Sequence, residues 1–115
     1  MTSQSVTVAQ EWQNGEELKR IAFLWAQRIK VSPLQIQLRK MRSKWASMST
    51  NGRLTLNTDL LEMPRNLGEF VIVHELVHLL TPSHGKLFKS FMHLYLPDWR
   101  EREKQLQSYN EIAHN

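Results

Sequence analysis

The chain has 115 residues, no cysteine, and a formal net charge of +4. That length suggests one domain able to fold on a single core, and the lack of cysteine excludes disulfides and thiolate metal sites. No apolar run is long enough to span a bilayer, and the first ten residues lack the basic start and apolar core of a signal peptide, so a cytoplasmic protein is expected.

Residues 1–13 are polar and weakly patterned, and are expected to be an N-terminal extension. The domain proper is expected over 14–110, with a tail at 111–115. Asn14 and Glu17 read as a capping box. A helix follows to about Lys30, with Leu18, Ile21, Ala22, Trp25 and Ile29 as its apolar stripe, ended by Ser32-Pro33. The period then changes to 2. Leu34, Ile36 and Leu38 mark a first strand, Lys44 to Ser49 a short second one around Trp45, and Arg53 to Asn57 a third. In the third, Leu54 and Leu56 are expected inward, with Arg53, Thr55 and Asn57 outward. Asn51-Gly52 is a strong hairpin signal between the last two.

Met63-Pro64 breaks the chain, and Asn66 with Glu69 reads as a second capping box. The helix expected from there to Leu80 is apolar nearly all round, hence buried. Thr81-Pro82 stops it. Ser83 is expected to cap the next helix, which His84 opens and which packs through Leu87, Phe88, Phe91, Met92 and Tyr95. Pro97 ends that helix. Asp98 with Glu101 reads as a third capping box, before a last helix to about Tyr109.

The chemistry concentrates in V-I-V-H-E-L-V-H-L-L-T-P-S-H, residues 71–84. His74 and His78 are i and i+4, one turn apart on one side of a helix, so both can ligate one metal ion. Glu75 lies close without being a ligand, placed to take a proton from a metal-bound water. From this composition, H-E-x-x-H arises by chance about 2 times in 100. Two His and a Glu on a buried helix need partners, and a metal supplies them. Catalytic zinc takes three protein ligands and keeps a position for water. His84 is the best third ligand, because the turn at Pro82 can fold it back. His93 is the rival, with apolar neighbours that favour a core or rim histidine. Glu101 and Glu103 can also ligate but read as cap and surface residues, and His114 is assigned nothing. Tyr95, His93 and Arg53 are all open as oxyanion stabilisers.

Charge is uneven. Nine cations and no acid lie between Leu18 and Asn57: Lys19, Arg20, Arg28, Lys30, Arg39, Lys40, Arg42, Lys44 and Arg53. Such a half attracts anionic partners, nucleic acid or nucleotide, or is a solvated face.

The His spacing is that of the metzincins, although Thr81 stands where they carry the glycine of their turn. The closer resemblance is to the YgjP-like predicted metallohydrolases, relatives of SprT-like and WLM-type zincins. That family carries R-W-G-S-C-S, then G-R-L-x-L-N, then H-E-L-x-H with a downstream N-H-S, then P-D-[YW]-R-E-R. This chain has K-W-A-S-M-S at 44–49, G-R-L-T-L-N at 52–57, the full metal motif, S-H-G at 83–85 and P-D-W-R-E-R at 97–102. It departs at Ala46 and Met48, where the family has Gly and Cys. The resemblance covers about residues 14–108. It implies an α+β minimal zincin fold: an N-terminal helix, a three-stranded mainly antiparallel sheet, the metal helix and two C-terminal helices. It also implies a zinc-dependent peptidase with one Zn²⁺ per chain, held by His74, His78 and His84, with Glu75 as general base. In zincins an edge strand pairs with the extended peptide. Arg53 to Asn57 is expected in that role, making Arg53 and Asn57 candidate substrate-binding residues. The alternatives are a nucleoside-triphosphate pyrophosphatase, a protease of DNA-bound proteins like SprT-like and WLM relatives, and a non-catalytic basic nucleic-acid-binding module.

Overall fold

The structure of the protein, a computed structural model, describes residues 11–114, with side chains to residue 109. The first described helix, α1 (Gly15–Ile29), begins as its sequence dictates. The Asn14 side chain accepts from the Glu17 N–H at 2.9 Å. The Glu17 carboxylate reaches back to the N–H of Gln13 at 2.7 Å, one residue before the cap. Leu18, Ala22, Trp25, Ala26 and Ile29 are its buried stripe. The helix stops at Lys30, which adopts the left-handed conformation (φ 67°), while the Val31 N–H bonds the Ala26 carbonyl at 3.0 Å. That is a C-terminal capping turn, completed before Pro33 is reached.

Three short strands follow: β1 (Gln35–Arg39), β2 (Ala46–Met48) and β3 (Arg53–Asn57). Their order is β1-β3-β2. β1 runs parallel to β3 and β2 antiparallel to it, so the sheet is mixed where a mainly antiparallel one was expected. Gly52 (φ 91°) supplies the positive φ that the β2–β3 hairpin needs. Because β3 is central, Thr55 and Asn57 are buried along with Leu54 and Leu56. The outward positions expected for them are covered: Thr55 accepts from Gln37 Nε2 at 3.0 Å. Asn57 Nδ2 donates to the carbonyls of Met41 (3.0 Å) and Lys44 (2.7 Å), and its oxygen caps a 3₁₀ helix, Thr58–Glu62.

Helix α2 (Arg65–Val77) lies at the centre of the molecule and packs on α1, on β2 and β3, and on the two helices that follow, α3 (Lys86–Tyr95) and α4 (Trp99–His114). Its start differs from expectation. Pro64 is the N-cap, with no side-chain cap bond. Glu69 does not close a box with Asn66: it accepts from Trp25 Nε1 at 3.1 Å and pairs with Arg102 at 3.3 Å. Tertiary partners outcompete the local bond. Leu67, Gly68, Phe70, Val71, Ile72, Val73, Leu76 and Val77 are buried, as an all-round apolar helix must be.

Trp12, placed in the loose extension by its sequence, is buried, and its indole lies directly on Gly68. The Arg65 guanidinium lies over that indole, 4.7 Å from the ring centre, and pairs with Glu17 at 2.7 Å. Residues 1–10 of the expected extension lie outside the described residues. α3 starts at Lys86 behind Gly85, leaving Ser83 and His84 in the preceding turn, and Leu87 faces solvent while Phe88 and Met92 are buried. Asp98 accepts from Arg102 Nε at 2.9 Å. α4 runs on to His114, through residues expected as tail.

Candidate metal centre

α2 ends at Val77, three residues short of its expected end. His78 is its C-cap, still in helical conformation, and the Leu79 and Leu80 N–H groups bond Leu76 and Val77 in tighter i→i−3 turns. His74 and His78 therefore keep the one-turn stagger that puts both imidazoles on one side. The turn at residues 81–85 returns the chain, and His84 arrives beside them. The candidate ligand nitrogens of His74, His78 and His84 all lie within 4.8 Å of one another. Ring centres are 5.0 Å apart for His74–His78, 4.7 Å for His78–His84 and 5.2 Å for His74–His84.

Phe88, one turn into the next helix, is in ring contact with all three imidazoles, at 4.6 Å from His84 and 5.2 Å from each of the others. It was legible in sequence only as a packing residue. Its i+4 relation to His84 was the available signal.

The donor set tests which ion fits. Three neutral imidazoles suit a borderline transition-metal ion, whereas magnesium or calcium requires oxygen ligands. Burial, then the neighbouring His74, lowers the His78 pKa from its ordinary value of 6.5, which favours the neutral form that ligation requires. Glu75 Oε2 is 3.4 Å from His74 Nδ1, so the carboxylate sits at the edge of the group without belonging to it.

The other candidates are elsewhere. His93 is exposed on α3, beside Lys89, Ser90, Trp99 and Arg100. Tyr95 stacks on Phe91. Glu101 is exposed in the first turn of α4, and the His114 side chain is outside those described. Arg53 is exposed on the outer face of the sheet and Asn57 is committed to the bonds given above. β3 has a strand on each side, so it offers no edge to a peptide. The strand with an unpaired edge that touches α2 is β2.

Between β2, α2 and α4 runs a cleft of about 310 Å³ that opens on His74 and Glu75. Trp45, Ala46, Phe70, Val71 and Leu106 form its apolar walls, and Lys44, Glu103 and Gln107 its polar ones. Glu103, read from sequence as a surface residue, is half-buried there.

Among the described residues, no helix is long and apolar enough to cross a membrane. No curated protein matches the chain. Two crystal structures of metallopeptidase zymogens resemble it in fold. One is jannalysin of Methanocaldococcus jannaschii, with a TM-score of 0.73 and 24% identity, covering 80% of this chain and 95% of that one. The other is abylysin of Pyrococcus abyssi, with a TM-score of 0.72 and 17% identity, covering 82% and 95%. The family model described as YgjP-like, metallopeptidase domain, matches residues 4–109. With three imidazoles gathered on a metallopeptidase fold and that match over most of its length, the chain belongs to the YgjP-like family of metal-dependent peptidases.

Proposed function

We propose that the protein is a zinc-dependent peptidase in which His74, His78 and His84 hold one zinc ion and Glu75 is the general base. The observation that carries this reading is the gathering of the candidate ligand nitrogens of three imidazoles within 4.8 Å of one another beside the Glu75 carboxylate. Zinc, when bound, supplies a Lewis acid that brings the pKa of a water toward about 7. Glu75 takes up a proton on its carboxylate and hands it to the departing amine. Phe88 holds the imidazoles in place and keeps solvent from their buried side. The free edge of β2, Ala46–Met48, pairs with the extended peptide, in place of β3. A compartment without oxidative cross-linking, the cytoplasm, suits a chain with no cysteine.

The test is metal analysis combined with hydrolysis of an unfolded protein substrate. The parent should carry one zinc per chain. His84→Ala should lose most of it, and Glu75→Gln should retain zinc and fold yet lose hydrolysis by at least about a hundredfold. Unchanged zinc in His84→Ala, or parental hydrolysis by Glu75→Gln, overturns the assignment.

A second reading places this peptidase on nucleic acid. The register that sets Gln35 opposite Arg53 and Arg39 opposite Asn57 puts Arg39 and Arg53 on one face of the sheet. Lys30, Arg39, Arg42, Lys44 and Arg53 are exposed and none forms an ion pair among the described residues.

A further inference from the structure

The cleft beside Glu75 has an unusual wall. Phe70, Val71 and Leu106 are buried, Trp45 is half-buried, and together they give it an apolar interior. Into this interior α4 contributes one carboxylate, Glu103. It is half-buried, and it has neither an ion pair nor a hydrogen bond within the described residues. Of the acids on and around α2, Glu75 lies at the mouth of the cleft and is the general base of the proposed reaction, while Glu69 is held by Trp25 and Arg102, and Glu17 by Arg65. A carboxylate with no partner on an otherwise apolar wall is open to a cationic ligand. Lys44, the cation on the same cleft, is exposed and does not pair with Glu103 within 4 Å.

We propose that this cleft receives a basic side chain of the peptide substrate, lysine or arginine, and that Glu103 is the residue that selects it. This rests on the peptidase reading. The chemistry matches in two parts. The methylene stem of lysine or arginine lies along Trp45, Phe70, Val71 and Leu106, while its cationic end meets Glu103. A cleft of about 310 Å³ has room for either side chain. The same walls without Glu103 would take leucine or phenylalanine equally well, so the carboxylate converts a general apolar cleft into a selective one. Its half-buried position matters, because a charge pair there is less screened than one in open solvent. Lys44 sits in solvent and opposes the preference only weakly.

The experiment uses the zinc-loaded chain and a set of peptides differing at one position: lysine, arginine, norleucine, leucine or glutamate. Cleavage is read as kcat/KM. Binding of the same peptides is read separately, by fluorescence anisotropy of labelled peptides with the Glu75→Gln chain. The parent should favour lysine or arginine over norleucine by about tenfold at the one position that occupies the cleft, in both readouts. Glu103→Gln, nearly isosteric, should reduce that ratio to about one while leaving kcat/KM for the norleucine peptide within about twofold. Glu103→Lys should turn the preference toward glutamate, and Lys44→Ala should leave the basic preference intact or raise it. Thermal melting confirms that each variant is folded. If peptides are cleaved without basic preference, or the preference survives Glu103→Gln and moves with Lys44→Ala, the assignment of Glu103 is wrong and the peptidase reading stands. If no peptide is cleaved by the parent, the peptidase reading itself falls.

Discussion

At the residue scale, the proposed metal site requires neutral imidazoles. His78 is held below its usual 6.5 chiefly because burial penalises the imidazolium. In metal-free protein the unfolded chain therefore binds a proton near pH 6.5 that the folded chain refuses. Stability is fully present above that pH and falls as the pH drops toward the lower folded value. Glu17 adds a second, more acidic step. The Arg65 hydrogen bond, then that from Gln13, holds its carboxyl below the usual 4.5. Its contribution is complete above pH 4.5 and is lost as the pH falls through the folded value. Melting temperature measured against pH in the presence of a chelator should show both stages. His78→Asn should flatten the upper one and Glu17→Gln the lower one. With zinc bound, the upper stage should steepen, because protons then compete with the metal for the same nitrogens.

At the element scale, α2 is fastened at its first turn by Trp12, although its sequence promised a capping box there. An ideal Cβ on Gly68 would lie 2.7 Å from Trp12 Cζ2 and 2.9 Å from Nε1, so alanine cannot enter without moving the indole. Alanine is intrinsically better than glycine in a helix by about 1 kcal/mol, yet overpacking costs about 1–3 kcal/mol. Gly68→Ala should thus destabilise the parent by about 1 kcal/mol in urea unfolding. In a Trp12→Ala background the same change should stabilise. A same-sign effect in both backgrounds would show that the indole does not rest on Gly68. This contact also explains what was legible. The H-E-x-x-H helix and His84 could be read because the eleven residues from His74 to His84 are local, and one helical turn plus one Pro turn sets their geometry. Asn66 with Glu69 read as a cap because nothing local reveals that Trp25 and Arg102 compete for Glu69. Alternation located β3 but not its central place in the sheet, since a buried strand with Thr55 and Asn57 looks the same as a half-exposed one. The cleft was illegible because its walls come from residues 44–46, 70–75 and 103–107.

At the scale of the whole molecule, charge is segregated. Glu17 and Asp59 pair with Arg20 and Lys40, but among the described residues the other cations of the sheet and of the β1–β2 loop form no ion pair. A polyanion bound there releases counterions, so affinity should fall steeply with salt. Reversing Arg39 and Arg42 to Glu should sharply weaken binding of labelled DNA in fluorescence anisotropy at low salt, with cleavage of a short neutral peptide little changed. A free nucleotide that binds as well as DNA, and is itself hydrolysed, would favour the pyrophosphatase alternative. Absence of binding to either leaves a solvated face.

The two halves of the proposed reaction centre are held together by different means. The imidazoles and Phe88 occupy a contiguous run of fifteen residues, 74–88, whereas the cleft exists only while α4 lies against α2 and β2. α4 is anchored through Trp99 and Leu106 and through the Arg102–Glu69 pair, and most of its remaining described surface faces solvent. A helix so attached belongs to the low-stability end of a molecule's openings. When it lifts, Glu103 and Leu106 leave the cleft and all three imidazoles stay. Selectivity is therefore the first property lost on partial opening and hydrolytic competence the last, so mild denaturant should make this enzyme indiscriminate before it makes it inactive.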